Sequence, residues 1–312
     1  MKYYIAIDGG TTNTRVNLVC DEKVVASEKI SIGAKDCIDG SEPLKQAITE
    51  KIENICLQNN LKKEEIQAVI ASGMITSEYG LFTLPHIPAP AGLSELHRGM
   101  VRAEKILGEL DCYFIPGVKM LGSDALSTDM MRGEEAEIMG IYTPDLSGAA
   151  FILPGSHSKH IYLEEGRISS FKTTLTGEMI SALAGGTILK GTVRLDFKEF
   201  DTSALLSGYD AAEKLGLNDA LFKVRIMKNL FKSSDLECYS FFLGAVMEAE
   251  VRSLKNSKAK MAVIGGKGQL RESFAAILRN RTSTKVITLP DEVTEQASAL
   301  GAVRIFEYGE QK

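Results

Sequence analysis

The chain has 312 residues, 44% of them hydrophobic and 25% charged, with 36 Lys plus Arg against 41 Asp plus Glu for a formal net charge of −5. At roughly 100–200 residues per domain that is material for two cores; it excludes a disordered chain and leaves no basic run for nucleic acid. No apolar stretch approaches the roughly 20 residues of a membrane span, Asp8 and Gly9-Gly10 cut short anything resembling a signal peptide, and five scattered cysteines without Cys-x-x-Cys spacing argue against a disulfide framework or structural zinc. The expected setting is cytoplasmic, without nucleic-acid or membrane partners; a homodimer is left open.

In chain order, Tyr3 to Ile7 is a short apolar strand stopped by the polar loop Asp8-Gly9-Gly10-Thr11-Thr12. Strand-like runs Thr14 to Cys20 and Val24 to Ile30 follow, separated by an Asp21-Glu22-Lys23 turn. The segment from Glu42 to Asn60 carries Leu44, Ala47, Ile48, Ile52, Ile55 and Cys56 on one helical face. Ile66 to Ala71 reads as a strand ending at Ser72-Gly73. Tyr79 to Leu93, with Pro85, Pro88 and Pro90, reads as a long loop without regular structure. Leu93 to Leu107 is expected to be helical, Cys112 to Ile115 a strand, and Glu134 to Ile141 a short helix.

Near mid-chain the opening pattern returns. Ala149 to Leu153 runs into Pro154-Gly155-Ser156-His157-Ser158, then His160 to Leu163, an acidic turn Glu164-Glu165-Gly166, and Arg167 to Thr174. A hydroxyl-rich glycine loop at the same place in both copies favours duplication over coincidence. The rest reads as helices (Ser203 to Lys232, Asp235 to Leu254), then strand Met261 to Ile264, a glycine loop, helix Leu270 to Asn280, strand Lys285 to Leu289 and helix Glu292 to Phe306.

Three loops carry chemistry. In Asp8-Gly9-Gly10-Thr11-Thr12-Asn13, glycine lets the backbone approach an anion, N–H and Thr hydroxyl groups can bond its oxygens, and Asp8 can hold Mg2+ through water. A turn capped by Asp is the competing reading. Gly155-Ser156-His157-Ser158-Lys159 offers a second donor set, or an ordinary solvated loop. Gly265-Gly266-Lys267-Gly268, before a helix, permits close approach of a nucleotide, or is simply a short connection. Met131-Arg132-Gly133-Glu134-Glu135 precedes a helix, where acidic residues suit the dipole in any case. Glu134 or Glu135 could also take a hydroxyl proton, with Arg132 meeting an anion and Asp124 and Asp129 competing as base.

Two hairpin loops, one per half, and a late Gly-Gly-x-Gly loop resemble the sugar kinase, heat-shock cognate and actin superfamily. The resemblance implies an α/β fold: two ribonuclease-H-like domains of the actin-like ATPase type around a central nucleotide cleft, here 1–132 and 133–312, with the last helix, about 292–308, free to pack back on the first. It makes Asp8, Gly10, Thr11, Thr12 and Asn13, with Gly155, Ser156, His157, Ser158 and Lys159, the ATP phosphate loops. It places Gly265, Gly266 and Gly268 at adenosine. More narrowly, Ile7 to Arg15, Ser72-Gly73-Met74-Ile75, Met131 to Glu135, Pro154 to Lys159 and Thr176-Gly177-Glu178 are similar, in order, to the 2-dehydro-3-deoxygalactonokinase family. That family implies transfer of the ATP γ-phosphate to the 6-hydroxyl of a 2-keto-3-deoxy sugar acid, with ATP and Mg2+ as cofactors. It makes Arg15, Gly73, Met74, His86, Thr176 and Glu178 substrate contacts, Asp8 the metal residue, and Glu134 or Glu135, with Arg132, the catalytic pair. A different keto-deoxy acid or sugar as acceptor, or an actin-like ATPase switch, are the alternatives. The chain departs from the family in having no tryptophan, notably around Asn17, Leu81 and His160, and in placing Gly9 after Asp8.

Overall fold

The computed structural model describes residues 1–257 and 259–309. They separate into two compact units. The first comprises Met1–Ser147, Leu163–Phe171 and the C-terminal residues from Glu292; the second comprises Gly148–Tyr162 and Lys172–Asp291. The helix that starts at Glu134 counts with the first unit, as does the last helix from Glu292.

The first unit opens with β1 (Tyr3–Gly9), β2 (Thr14–Cys20) and β3 (Lys23–Ile30), an antiparallel meander. The β2–β3 turn uses positive φ at Asp21 and Glu22, 46° and 62°, the conformation that matches strand twist in a two-residue hairpin. Then come α1 (Glu42–Gln58), β4 (Ile66–Gly73), β5 (Ile87–Pro88), α2 (Leu93–Gly99), β6 (Val101–Leu107), β7 (Leu110–Phe114), β8 (Val118–Met120), β9 (Asp129–Met131) and α3 (Glu134–Ile141). The main sheet has the order β3-β2-β1-β4-β7-β6, with β1, β4 and β7 parallel. Its apolar face packs on α1 through Ile5, Ile7, Val16, Leu18, Leu44, Ile48, Ile52 and Ile55, the side of α1 that its periodicity marks.

Two expectations fail here. Leu93 to Leu107 is not one helix: α2 ends at Gly99, and Val101–Leu107 is an edge strand antiparallel to β7. The β-branched Val101 and the open edge of β7 outweigh the helix-forming Glu104 and Lys105. The proline-rich segment also contains regular structure, because Ile87–Pro88 pairs with β8 through Ile87 N–H to Gly117 O at 2.9 Å and Ala89 N–H to Lys119 O at 2.8 Å. Pro88 needs no donor on an edge strand.

The second unit repeats the arrangement. Its strands are β10 (Ala149–Leu153), β11 (Ser158–Glu164) and β12 (Arg167–Thr174), of which Leu163–Phe171 count with the first unit, followed by α4 (Thr176–Gly186), α5 (Thr202–Leu215), α6 (Leu217–Asn229), α7 (Asp235–Lys255), β13 (Met261–Ile264), α8 (Gly268–Arg281) and β14 (Lys285–Thr288), with α9 (Asp291–Glu307) closing the chain. The sheet order is β12-β11-β10-β13-β14, again an antiparallel meander flanked by parallel strands. Both sheets therefore present a glycine loop after their first strand, which is what duplication requires. The stretch Ser203 to Lys232 is mainly helical, as expected, and divides at Gly216, whose φ of +83° ends α5 and starts α6. The core gathers Tyr209, Phe242, Met247, Phe274 and Leu278 with Ile152 and Ile264.

Helix α7 is fixed at its start by a capping box. Ser234 Oγ accepts the Glu237 N–H at 3.2 Å and Glu237 accepts the Ser234 N–H at 2.7 Å. Ser234→Ala is expected to cost about 1 kcal/mol and to lower Tm by roughly 2–4 °C in a thermal melt, with kinetic constants unchanged.

Candidate active site

In the first unit the site is built at the ends of β1 and β4. Asp8 stands in register with Arg15 on β2 and Ser72 on β4, and Arg15 in turn with Lys29 on β3. The loop after β1 is tight: Gly10 N–H donates to Asn13 O at 2.8 Å, while Gly10 O and Thr11 O accept from Ala34 and Lys35. Asn13 Nδ2 donates to Thr12 Oγ1 at 2.8 Å. Among the described residues, the backbone N–H groups of Thr11, Thr12 and Asn13 meet no protein acceptor. A cavity of about 190 Å3 is walled by Asp8, Gly10, Thr12, Asn13, Arg15 and Lys29. It is a pocket of donors and cations beside one carboxylate. Lys29 is a wall residue that sequence reading missed, since its place opposite Arg15 follows only from the strand register.

The start of α3 is brought to the same place by two glycines. Gly73, at φ +83°, lets β4 end against β1, where a Cβ would lie 2.4 Å from Gly9 O. Gly133, at φ +112°, approaches Gly73 so closely that a Cβ would lie 3.2 Å from its Cα. The carboxylates that follow then share one field. Burial raises the pKa of Asp8, Arg15 lowers it, and Glu134 raises it further; the Ser298 hydroxyl on α9 favours the anion without reaching hydrogen-bond geometry. Burial pushes Glu137 up to about 8, helped by Asp8 and Glu134.

The two adjacent glutamates differ sharply. Glu135 is fully buried, both of its oxygens accept the Gly133 N–H at 2.8 Å, and burial together with Glu134 raises it to about 8. Glu134 is half-buried and accepts the Arg132 N–H at 3.1 Å through one oxygen. Arg132 itself is spent on the loop after β4. Nη1 donates to Thr76 O at 2.8 Å and to Thr76 Oγ1, and Nη2 donates to Leu84 O at 2.8 Å and to His86 Nδ1 at 3.3 Å. That last bond puts the His86 proton on Nε2, and burial with the Arg132 and Lys119 charges lowers the imidazole to about 4. Met74 begins a single 3-10 turn at the head of this loop and is half-buried. Asp124 is committed to its own turn, accepting from Ser127, and Asp129 accepts the Met130 N–H at 2.7 Å.

In the second unit the Pro154–Ser158 loop leaves Ser156 and His157 exposed. His157 Nε2 lies 2.9 Å from Glu178 Oε1. Ser158 is buried and weakly accepts the Gly155 N–H at 3.5 Å; Lys159 is also buried, on β11. Thr176, the first residue of α4, gives its hydroxyl to Glu250 at 2.5 Å. The glycine loop after β13 rests on β10 through Gly265 N–H to Ile152 O at 2.9 Å, and open space surrounds the Cα of Gly268. Arg271 on α8, unremarked in the sequence, holds this loop by donating to Gly266 O at 3.2 Å and Leu289 O at 3.0 Å and by pairing with Asp291.

Among the described residues no three His, Cys, Asp or Glu side chains converge as a metal cage, all five cysteines are free and buried, and no helix is long and apolar enough to cross a membrane.

Residues 8–303 match the pattern of 2-keto-3-deoxy-galactonokinase. The 2-dehydro-3-deoxygalactonokinase of Escherichia coli K12 is 26% identical over 266 residues, 84% of this chain and 83% of that one. Among solved structures, a Sinorhizobium meliloti protein provisionally named a 2-dehydro-3-deoxygalactonokinase superposes with a TM-score of 0.79 at 22% identity, over 97% of this chain and 99% of its own. Component A of the Acidaminococcus fermentans (R)-2-hydroxyglutaryl-CoA dehydratase shares the actin-like ATPase fold at a TM-score of 0.55 and 15% identity, over the full length of both chains. The chain belongs to the 2-keto-3-deoxy-galactonokinase family and is a sugar-acid kinase.

Proposed function

We propose that this kinase transfers the γ-phosphate of ATP to the 6-hydroxyl of 2-dehydro-3-deoxy-D-galactonate, with Glu134 as the general base. The observation that carries the phosphate half is the row of unpaired N–H groups at Thr11, Thr12 and Asn13 on a cavity lined by Arg15 and Lys29. Successive N–H donors and two cations suit phosphate oxygens. Within the second unit, the N–H groups of Ser156 and His157 are a further candidate phosphate set, and Gly265, Gly266 and Gly268 would border adenosine.

Glu134 is half-buried where Glu135 is fully buried, so of the two it is the carboxylate that a substrate hydroxyl can approach. In the transfer, the sugar oxygen forms a bond to the γ-phosphorus, the bond from that phosphorus to ADP breaks, and the hydroxyl proton passes to Glu134. Arg132 acts through the backbone it holds: it fixes the 74–86 loop and presents neutral His86 with Nε2–H as a donor toward the sugar acid. Mg2+ suits Asp8, because that ion takes one or two carboxylates and completes its shell with water and phosphate oxygens. It would supply charge neutralisation of the phosphates.

The test is ADP production from Mg-ATP against a panel of sugars and sugar acids, with 2-keto-3-deoxygalactonate and 2-keto-3-deoxygluconate included. Strong stimulation by the galactonate derivative alone is expected. Stimulation by a different acid transfers the assignment to that acid, and hydrolysis as fast without any acceptor would overturn kinase action in favour of an ATPase switch.

A further inference from the structure

His160 lies on β11 two residues beyond Ser158, on the same face of the strand, and is wholly buried. Its Nε2–H donates to Glu250 Oε1 at 3.0 Å, and Glu250, on α7, is 2% exposed. The other oxygen of Glu250 accepts the Thr176 hydroxyl at 2.5 Å. With that proton committed, the Thr174 hydroxyl donates to Thr176 Oγ1 at 3.0 Å. The next residue, Gly177, passes so close to the loop that a Cβ would stand 2.4 Å from Gly155 O and 2.8 Å from the Ser156 Cα. Glu178 then donates its N–H to Ser156 O at 3.3 Å. One carboxylate thus grips the strand that leaves the loop, through His160, and the helical turn that backs it, through Thr176.

We propose that Glu250 is a positioning residue for phosphoryl transfer, holding the Gly155–Ser158 loop in its binding shape through Thr176 and His160; this rests on reading that loop as a phosphate site. Core stability alone gives no reason for the arrangement. The His160 Nδ1 has no partner, and an apolar pair of similar volume would pack there without leaving a buried nitrogen unsatisfied. A fully buried polar network fixes one geometry of the groups it joins. Here those groups are the two supports of a loop whose N–H donors must be aimed before the nucleotide arrives.

Thr176→Val removes the hydroxyl while keeping the shape. It is expected to raise KM for Mg-ATP by about tenfold, leaving KM for the sugar acid within about twofold and the melting temperature within a few degrees. Thr176→Ser should restore the ATP value, and Glu250→Gln, which keeps one acceptor for Thr176, should fall between the two. Equal rises in both KM values, or none, would overturn the positioning role. A companion variant, Ser156→Asp, sets a negative charge on the exposed loop itself. If it raises KM for Mg-ATP while Thr176→Val is silent, the positioning role alone fails. If Ser156→Asp also leaves that constant unchanged, the loop is not a phosphate site and both readings fall together.

Discussion

Glu134→Gln is expected to lower kcat by about 10²–10⁴-fold with KM for both substrates nearly unchanged, whereas Glu135→Gln should stay within about tenfold of the parent. Adjacent residues on a helix point about 100° apart, and here that rotation separates a half-buried carboxylate that accepts the Arg132 N–H from a fully buried one whose oxygens both face the Gly133 N–H. Glutamine at 134 keeps an acceptor for the Arg132 N–H but has no basic oxygen for a substrate proton, so binding survives and transfer slows. At neutral pH the Glu135 carboxyl, raised to about 8, is mostly protonated, and glutamine mimics it in shape and charge. Steady-state kinetics of the two variants with saturating Mg-ATP decide the matter. Equal losses at both positions, or none at Glu134, would remove the assignment.

That distinction was not available from the sequence, which offered Glu134 and Glu135 as equals. What the sequence did carry was local: a glycine loop between two apolar strands identifies itself, and so the Asp8 and Pro154 loops, the meanders around them and the α1 face were all legible. Long-range registration was not. Lys29 joins the Asp8 cavity because β3 pairs with β2, and nothing in the residues around Lys29 announces it. Thr176 meets Glu250, on another helix, and Glu178 meets His157, partners that the spacing of these residues does not reveal. The Leu93 to Leu107 segment failed for a related reason. A strand recruited to an open sheet edge can override weak helical propensity, and the open edge of β7 is a property of the assembled sheet. The three-residue strands β8 and β9 are too short to show any period.

The same carboxylate cluster sets how stability varies with pH. Glu135 and Glu137, both raised from 4.5 to about 8, hold protons in the folded chain that the unfolded chain releases near its ordinary value. Between those two values the folded state binds more protons, so unfolding free energy falls as pH rises. Stability from these groups is complete below about pH 4.5 and is lost as pH climbs through about 8. Each tenfold change in a proton affinity corresponds to about 1.4 kcal/mol, and relaxation and water entry around the ionised cluster will moderate that. A loss on the order of 3 kcal/mol between pH 5.5 and 8.5 is expected from the pair. Glu135→Gln removes one titration while keeping an acceptor for the Gly133 N–H. Its urea unfolding curves should show a shallower decline than the parent and a higher midpoint at pH 8.5. Parallel decline of the two proteins over that range would mean that Glu135 is ionised throughout, with its burial cost met by the Gly133 N–H and Arg132.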